Sequence, residues 1–303
     1  MNQAAKAVTL ASVAVLSWST VATSFKIALR ELSVYEMLFV SSVTALVIFT
    51  VWLTIKGEWG ELKKLSRKNW LQMALLGLIN PVAYYLVLFK SYSLLPAQIA
   101  QPINYLWPIV LLVLIAVINR RPIPGRKYIG MVVSLAGLSV ISMGGKSIEG
   151  TLSPVGIMLG LGSAFLWATY WLVNDRIKDS VSESVSLFLG FLFGSIYLCL
   201  GSLIEPVSIS SIPGLLSGVY IGVFEMGIPF LCFGIAIRLT PNPALINQMC
   251  YLAPFMSLFF ISIILGEPIV PTTYIGLALI VTGLVYNQYF ANSRSSRPLT
   301  AKE

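Results

Sequence analysis

The chain has no histidine and only three cysteines among its 303 residues. Without histidine there is no Ser-His-Asp or Cys-His nucleophile, no histidine metal ligand and no imidazole proton relay. Cys199, Cys232 and Cys250 lie singly inside apolar runs, with no CxxC spacing. They read as small core residues rather than disulfides or ligands. No GxxxxGK[ST] motif is present to cradle a nucleotide phosphate. Charge is scarce too, at 11% of residues, against about 25% in a soluble domain. That scarcity excludes an ordinary soluble enzyme, a disordered chain and a nucleic-acid binder. No metal and no cofactor is expected.

What the chain does have is apolar length, with 57% hydrophobic residues. A bilayer-spanning helix needs about 20 of them in a row. Runs bounded by charged residues, Pro or Gly give ten candidate spans, at 8–29, 35–55, 70–90, 97–118, 128–144, 154–174, 184–204, 214–237, 243–265 and 272–290. In lipid such runs satisfy their backbone only as helices, and the alternating segments of a barrel are not seen. The first run is too long for a signal-peptide core and is expected to remain as a span. The net charge of +8 acts as a topology signal. With the N-terminus inside, only Lys26, Arg30, Lys90 and Lys146 of the 20 Lys and Arg residues fall outside. This positive-inside bias predicts that both termini are cytoplasmic.

The sequence also repeats itself. Asn104-Tyr-Leu-Trp-Pro108 matches Cys250-Tyr-Leu-Ala-Pro254 at an offset of 146. The same offset pairs Pro122-Ile123 with Pro268-Ile269, Tyr128-Ile-Gly130 with Tyr274-Ile-Gly276, and Gly137-Leu138 with Gly283-Leu284. Trp18 and Thr20 pair with Trp167 and Thr169 at 149. The expected architecture is all-α integral membrane, with ten transmembrane helices as two five-helix repeats, residues 1–148 and 149–292, and a cytoplasmic tail at 293–303. Five spans is an odd number, so the second copy enters from the opposite side and is inverted, as in many secondary transporters.

Polar residues at membrane depth are costly and mark cavities or helix contacts. Glu225 is central in 214–237, where an acid costs about 2.5–3.5 kcal/mol on insertion scales. It reads as a cation anchor or a carboxyl that takes up a coupling proton. Its counterpart at offset 145 is Asn80, with Tyr84 one turn later. Gln101 and Tyr105 share a helix face and Asn104 flanks it; Asn247 and Tyr251 form the equivalent stripe. Trp167 and Tyr170 lie on one face of 154–174, and Trp167 matches Trp18. These eleven residues are the candidate substrate-binding set. Pro108 and Pro254 are repeat mates inside spans and are candidate hinges.

Leu16-Ser-Trp-Ser-Thr20, the Leu-x-Pro ending at Pro254 and Gly266-Glu267-Pro268 resemble the drug/metabolite transporter superfamily, specifically its ten-helix EamA-type members, over about residues 8–290. Leu16–Thr20 and Asn104–Pro108 further resemble bacterial aromatic-amino-acid exporters. The resemblance implies a bacterial cytoplasmic membrane and alternating access. It also implies export of amino acids or related metabolites, through a cavity formed by the first, third, fourth, sixth, eighth and ninth spans. The competing reading is transport of organic cations or amines, choline-like or quaternary, held by Glu225 and an aromatic cage. The expected partners are a small-molecule solute and the lipid bilayer, with room for a homodimer and no nucleic acid.

Overall fold

A computed structural model describes residues 3–118, 120, 123–149, 152–177, 180–240 and 243–289; the tail at 293–303, Arg121 and Pro122 lie outside the described residues. The described residues form helices and connecting turns, with no strand among them. In chain order the helices are α1 (Gln3–Glu31), α2 (Val34–Lys56), the short α3 (Trp59–Leu62), α4 (Arg67–Leu94), α5 (Ala97–Ile118), α6 (Gly125–Glu149), α7 (Pro154–Asp175), α8 (Glu183–Gly201), α9 (Ile212–Leu239), α10 (Pro243–Met249), α11 (Leu252–Leu265) and α12 (Pro271–Tyr289). Seven of them, α1, α2, α4, α5, α7, α8 and α9, are long and apolar enough to cross a bilayer. The chain is therefore a multi-pass membrane protein.

Local chemistry sets the helix ends. Ser33 and Glu36 form a capping box at the start of α2, and Ser66 and Asn69 do the same for α4. Ser153 and Ser211 each accept the amide of the third residue on, at the starts of α7 and α9. Such caps satisfy donors that the first helical turn leaves unpaired. Gly57 and Gly266 end α2 and α11 in the left-handed conformation, which glycine enters without a Cβ penalty.

Four interruptions shape the interior. α4 breaks at Asn80 (φ −138°, ψ 118°), and α9 opens into a wide π-helical turn at Gly222–Gly227. α5 is interrupted at Tyr105–Leu106, and α10 is separated from α11 by Cys250–Tyr251. The breaks at Asn80 and Glu225 stand 145 residues apart, and those at Tyr105 and Tyr251 stand 146 apart. Pro108 and Pro254 fall just after their breaks, in the first turn of the following helix. A missing N–H there leaves no hydrogen bond unmade. The interruptions thus fall at Tyr105 and Tyr251 rather than at the prolines themselves.

Packing pairs the elements reciprocally. α1 packs on α9 and α11, while α7 packs on α4 and α5; α2 packs on α8 and α9, while α8 packs on α4. α6 lies against α12. Along that seam a Cβ at Gly130 would meet the carbonyl of Gly283, and one at Gly137 would meet the carbonyl of Gly276. Midway, Ser134 Oγ donates to the Ile280 carbonyl at 3.0 Å. As residue numbers rise on α6 the touching numbers fall on α12, so the two helices run antiparallel. Small residues let their backbones approach closely, as membrane helix contacts require.

Candidate functional site

Three of these interruptions, at Tyr105, Glu225 and Tyr251, line a cavity of about 600 Å³. Both halves of the chain wall it. Trp18, Tyr84, Gln101, Asn104 and Tyr105 come from the first, and Trp167, Glu225, Phe230, Phe233 and Tyr251 from the second. The volume lies in the range of small-molecule sites, which are mostly apolar with a few placed polar groups.

Glu225 is the acid at its centre and is 9% exposed. The Tyr85 hydroxyl donates to its Oε1 at 3.1 Å, and Trp18 Nε1 donates to its backbone carbonyl at 3.3 Å. That carbonyl lies in the π-helical turn, so the regular helix ladder no longer claims it. A polar chain then crosses the cavity wall. The Tyr84 hydroxyl donates to Asn104 Oδ1 at 3.3 Å, Asn104 Nδ2 donates to Ser163 Oγ at 2.9 Å, and Ser163 Oγ donates to the Gly160 carbonyl at 2.7 Å. Aromatic rings line the rest. Tyr84 stacks on Trp167 with centroids 4.6 Å apart, Trp167 lies 5.8 Å from Phe230, and Trp18 meets Phe233 edge-on at 5.4 Å. Trp107 and Trp171 lie nearly parallel at 6.4 Å. Rings around a carboxylate suit a cationic or amino-bearing solute with an apolar body.

The two ends differ. Toward one, the wall continues to Lys127, Asp175, Asn287 and Gln288, residues near the ends of α6, α7 and α12. Along α7, Asp175 lies about 12 Å beyond Trp167 at the usual helical rise. The other end is sealed. Gln98 is fully buried; its Nε2 donates to the Pro268 carbonyl at 3.0 Å, and its Oε1 accepts from Thr273 Oγ1 at 2.9 Å. Glu267 Oε1 accepts the first amide of α5, Ala97 N, at 3.3 Å. A carboxylate at a helix N-terminus is favourably placed. Ser91 Oγ donates to the Gly156 carbonyl at 2.9 Å, and Lys26 Nζ bonds the Tyr92 and Leu95 carbonyls at 3.1 and 3.0 Å. The lysine thus caps the end of α4.

Of the residues singled out in the sequence, Trp18, Tyr84, Gln101, Asn104, Tyr105, Trp167, Glu225 and Tyr251 line this cavity, with Pro108 beside them. Asn80 and Tyr170 do not. Asn80 is 2% exposed, and its Oδ1 has no partner. It forms the break in α4, where Pro81 and Gly77 press against Gly190 and Gly194 of α8. Tyr170 points to Asn80 and stacks against Trp167 from behind, 5.4 Å away. Pro254 lies buried in α11 away from the wall. The side chain of Asn247 lies outside the described residues. Tyr85 was not legible as a site residue. Helical spacing puts it off the Tyr84 face, and on the helix that follows the break this side meets the Glu225 carboxylate. The one signal was its repeat mate at offset 145, Phe230, which lines the cavity, whereas Tyr85 is buried behind it and reaches the site through Glu225.

Comparison with known proteins places the family and the fold. The EamA-like transporter family matches residues 5–143 and again residues 154–287. A protein of Bacillus subtilis named as the uncharacterized transporter YvbV is 26% identical over 222 residues, 72% of this chain and 72% of that protein. The aromatic amino acid exporter YddG of Salmonella typhimurium is 21% identical over 188 residues, 60% of this chain and 63% of the exporter. One solved crystal structure, 20% identical, superposes with a TM-score of 0.68 over 97% of this chain and 99% of its own, a likeness of fold. Two family matches that together span most of its length make this chain a member of the EamA-like transporter family: a membrane transporter and not an enzyme.

Proposed function

We propose that the protein is a secondary transporter of amino acids or related small metabolites, working as an exporter in a bacterial cytoplasmic membrane. Ten segments cross the bilayer as two inverted five-helix repeats, residues 1–148 and 149–292, with both termini cytoplasmic. The reciprocal Gly130–Gly283 and Gly137–Gly276 contacts support the inversion. Residues 146 apart exchange partners across the antiparallel α6–α12 seam, as a two-fold axis in the membrane plane requires. The two separate family matches support it too. With the positive-inside orientation, the end at Lys127 and Asp175 faces the cytoplasm. The conformation described is then open inward and sealed outward at Gln98, Glu267 and Thr273.

The observation that carries this reading is the central cavity with Glu225 at mid-depth, walled by aromatics from both halves. The carboxylate holds the solute's amino group or a coupling proton. The aromatic rings take its apolar part, and the rocking of one repeat on the other exchanges the open end. Export of amino acids draws on the similarity to the aromatic amino acid exporter. Glu225 within an aromatic wall, with Lys127 at the far end as the basic residue among the described residues that line it, favours a second solute class of organic cations and amines.

Counterflow in proteoliposomes tests this. Vesicles preloaded with phenylalanine, phenethylamine or choline should accumulate the same labelled solute in at least one case. Glu225→Gln should lower that accumulation about tenfold or more and flatten its pH dependence. Unchanged counterflow and pH profile in the variant would make Glu225 structural.

A further inference from the structure

Gln98 and Gln101 sit one turn apart on α5, yet only Gln98 has both ends of its amide engaged. Gln101 lines the cavity, is 5% exposed, and its Oε1 has no hydrogen-bond partner. A buried carbonyl oxygen left unpaired is costly unless a ligand supplies the missing donor. Among the lining residues Glu225 is the mid-depth charge, and Lys127 stands at the far end of the cavity, together with Asp175. Two of the nearby donors are already committed, Tyr85 to Glu225 and Asn104 Nδ2 to Ser163. On the same helix Asn104 joins Gln101 to the Tyr84 side of the Glu225 pocket, since Tyr84 and Tyr85 pack together at 4.6 Å. The deep end therefore offers one carboxylate and one free carbonyl to whatever enters.

We infer that Gln101 is a specificity-determining residue and that the site selects a cation bearing N–H groups over one without them. The solute enters with its ammonium foremost. One N–H is accepted by the Glu225 carboxylate and another by Gln101 Oε1. Its apolar body lies against Trp18, Phe230 and Trp167, and any carboxylate points back toward Lys127. A quaternary ammonium has charge for Glu225 but no N–H for Gln101. It would bury that oxygen unpaired and displace whatever water had reached it. This deepens the proposed function and rests on it, because it divides the two solute classes left open there: amino acids and protonated amines fit the site, while choline-like ions do not.

The test uses the purified full chain in detergent, with competition binding read by intrinsic tryptophan fluorescence. The probes are phenethylamine and its N,N,N-trimethyl analogue, which share charge and ring and differ in N–H groups. The wild type should bind the primary amine about tenfold or more tightly, the scale expected for an unmade hydrogen bond to a buried group. Gln101→Met keeps the length and removes the acceptor. It should weaken the primary amine while leaving the trimethyl compound unchanged, closing the gap to within about twofold. Gln101→Glu retains an acceptor and should keep the preference. Thermal unfolding of each variant establishes that it is folded. Equal affinity for the two probes in the wild type would overturn the assignment and leave the proposed transport intact. So would a gap that persists in folded Gln101→Met. Binding of neither probe, with Glu225→Gln indistinguishable from wild type in counterflow, would overturn the proposed function as well.

Discussion

The sealed end offers a quantitative handle on alternating access. Thr273 and Gln98 are both fully buried, and Thr273 Oγ1 donates to Gln98 Oε1 at 2.9 Å while Gln98 Nε2 holds the Pro268 carbonyl at 3.0 Å. Thr273→Val keeps the side-chain volume and deletes the donor, leaving Gln98 Oε1 unpaired in a dry contact. Side-chain bonds between membrane helices average about 0.6 kcal/mol and reach about 1.7. Orphaning a buried acceptor costs about 1–3 kcal/mol. The closed arrangement should therefore lose about 1–2 kcal/mol relative to the opened one, in which water reaches Gln98. That is a factor of about 5–30 in the population opened at this end. Leu95, 1% exposed beside the seal, can report it. In a background with Cys199, Cys232 and Cys250 replaced, Leu95→Cys is labelled by a membrane-impermeant maleimide added from the extracellular side. Its labelling rate should rise about 5–30-fold when Thr273→Val is added. Combining Gln98→Leu with Thr273→Val should cost less than the sum of the two single changes, because the oxygen left orphaned by one is removed by the other. A labelling rate unmoved by Thr273→Val, in protein that still labels fully on denaturation, would refute the claim that this cluster holds the cavity shut.

The antiparallel seam should resist added volume. Gly283→Val or Gly130→Val places side-chain atoms against the facing carbonyl and should cost about 1–3 kcal/mol, seen as a lower Tm in detergent; Gly60→Ala, with nothing within 4 Å, should leave Tm unchanged. Lys26→Met should lower Tm by stripping the donors from the Tyr92 and Leu95 carbonyls, at about 1–3 kcal/mol for groups left unpaired. Trp167→Leu removes the ring stacked on Tyr84 at 4.6 Å and should raise KM for a ring-bearing solute about 3- to 10-fold, as expected for an aromatic contact. An unchanged KM would mean that the ring serves packing alone.

Much of the fold is legible in the sequence because lipid allows few solutions. Apolar runs of 20 residues must be helical, and seven of the ten expected spans appear, with small errors at their ends, as helices long and apolar enough to cross a bilayer, whereas 243–265 divides into α10 and α11. α4, for example, extends to Arg67–Leu94 where hydropathy alone suggested 70–90. Glu225 stood out for the same reason, since a mid-span acid needs an explanation by its cost. The helix breaks were half legible. Proline marked their neighbourhoods, but the turns fall at Asn80, Tyr105 and Tyr251, because proline sits comfortably in the first turn after a break. Helical spacing also misassigned residues beside those breaks. Asn80, at the break itself, turns to the packing interface, where Tyr170 of the unbroken α7 meets it, and Tyr85 beyond the break bonds Glu225.

By itself the sequence determined that this chain is a helical membrane protein, that it has no histidine to use, and that its two halves share sequence. Hydropathy and self-similarity are local properties that need no partner to be read. Only the tertiary structure decided that Gln98 belongs to a seal and Gln101 to a cavity, although they lie one turn apart on one helix. That division depends on which helix arrives opposite each residue. Thr273 meets the first, and open space faces the second.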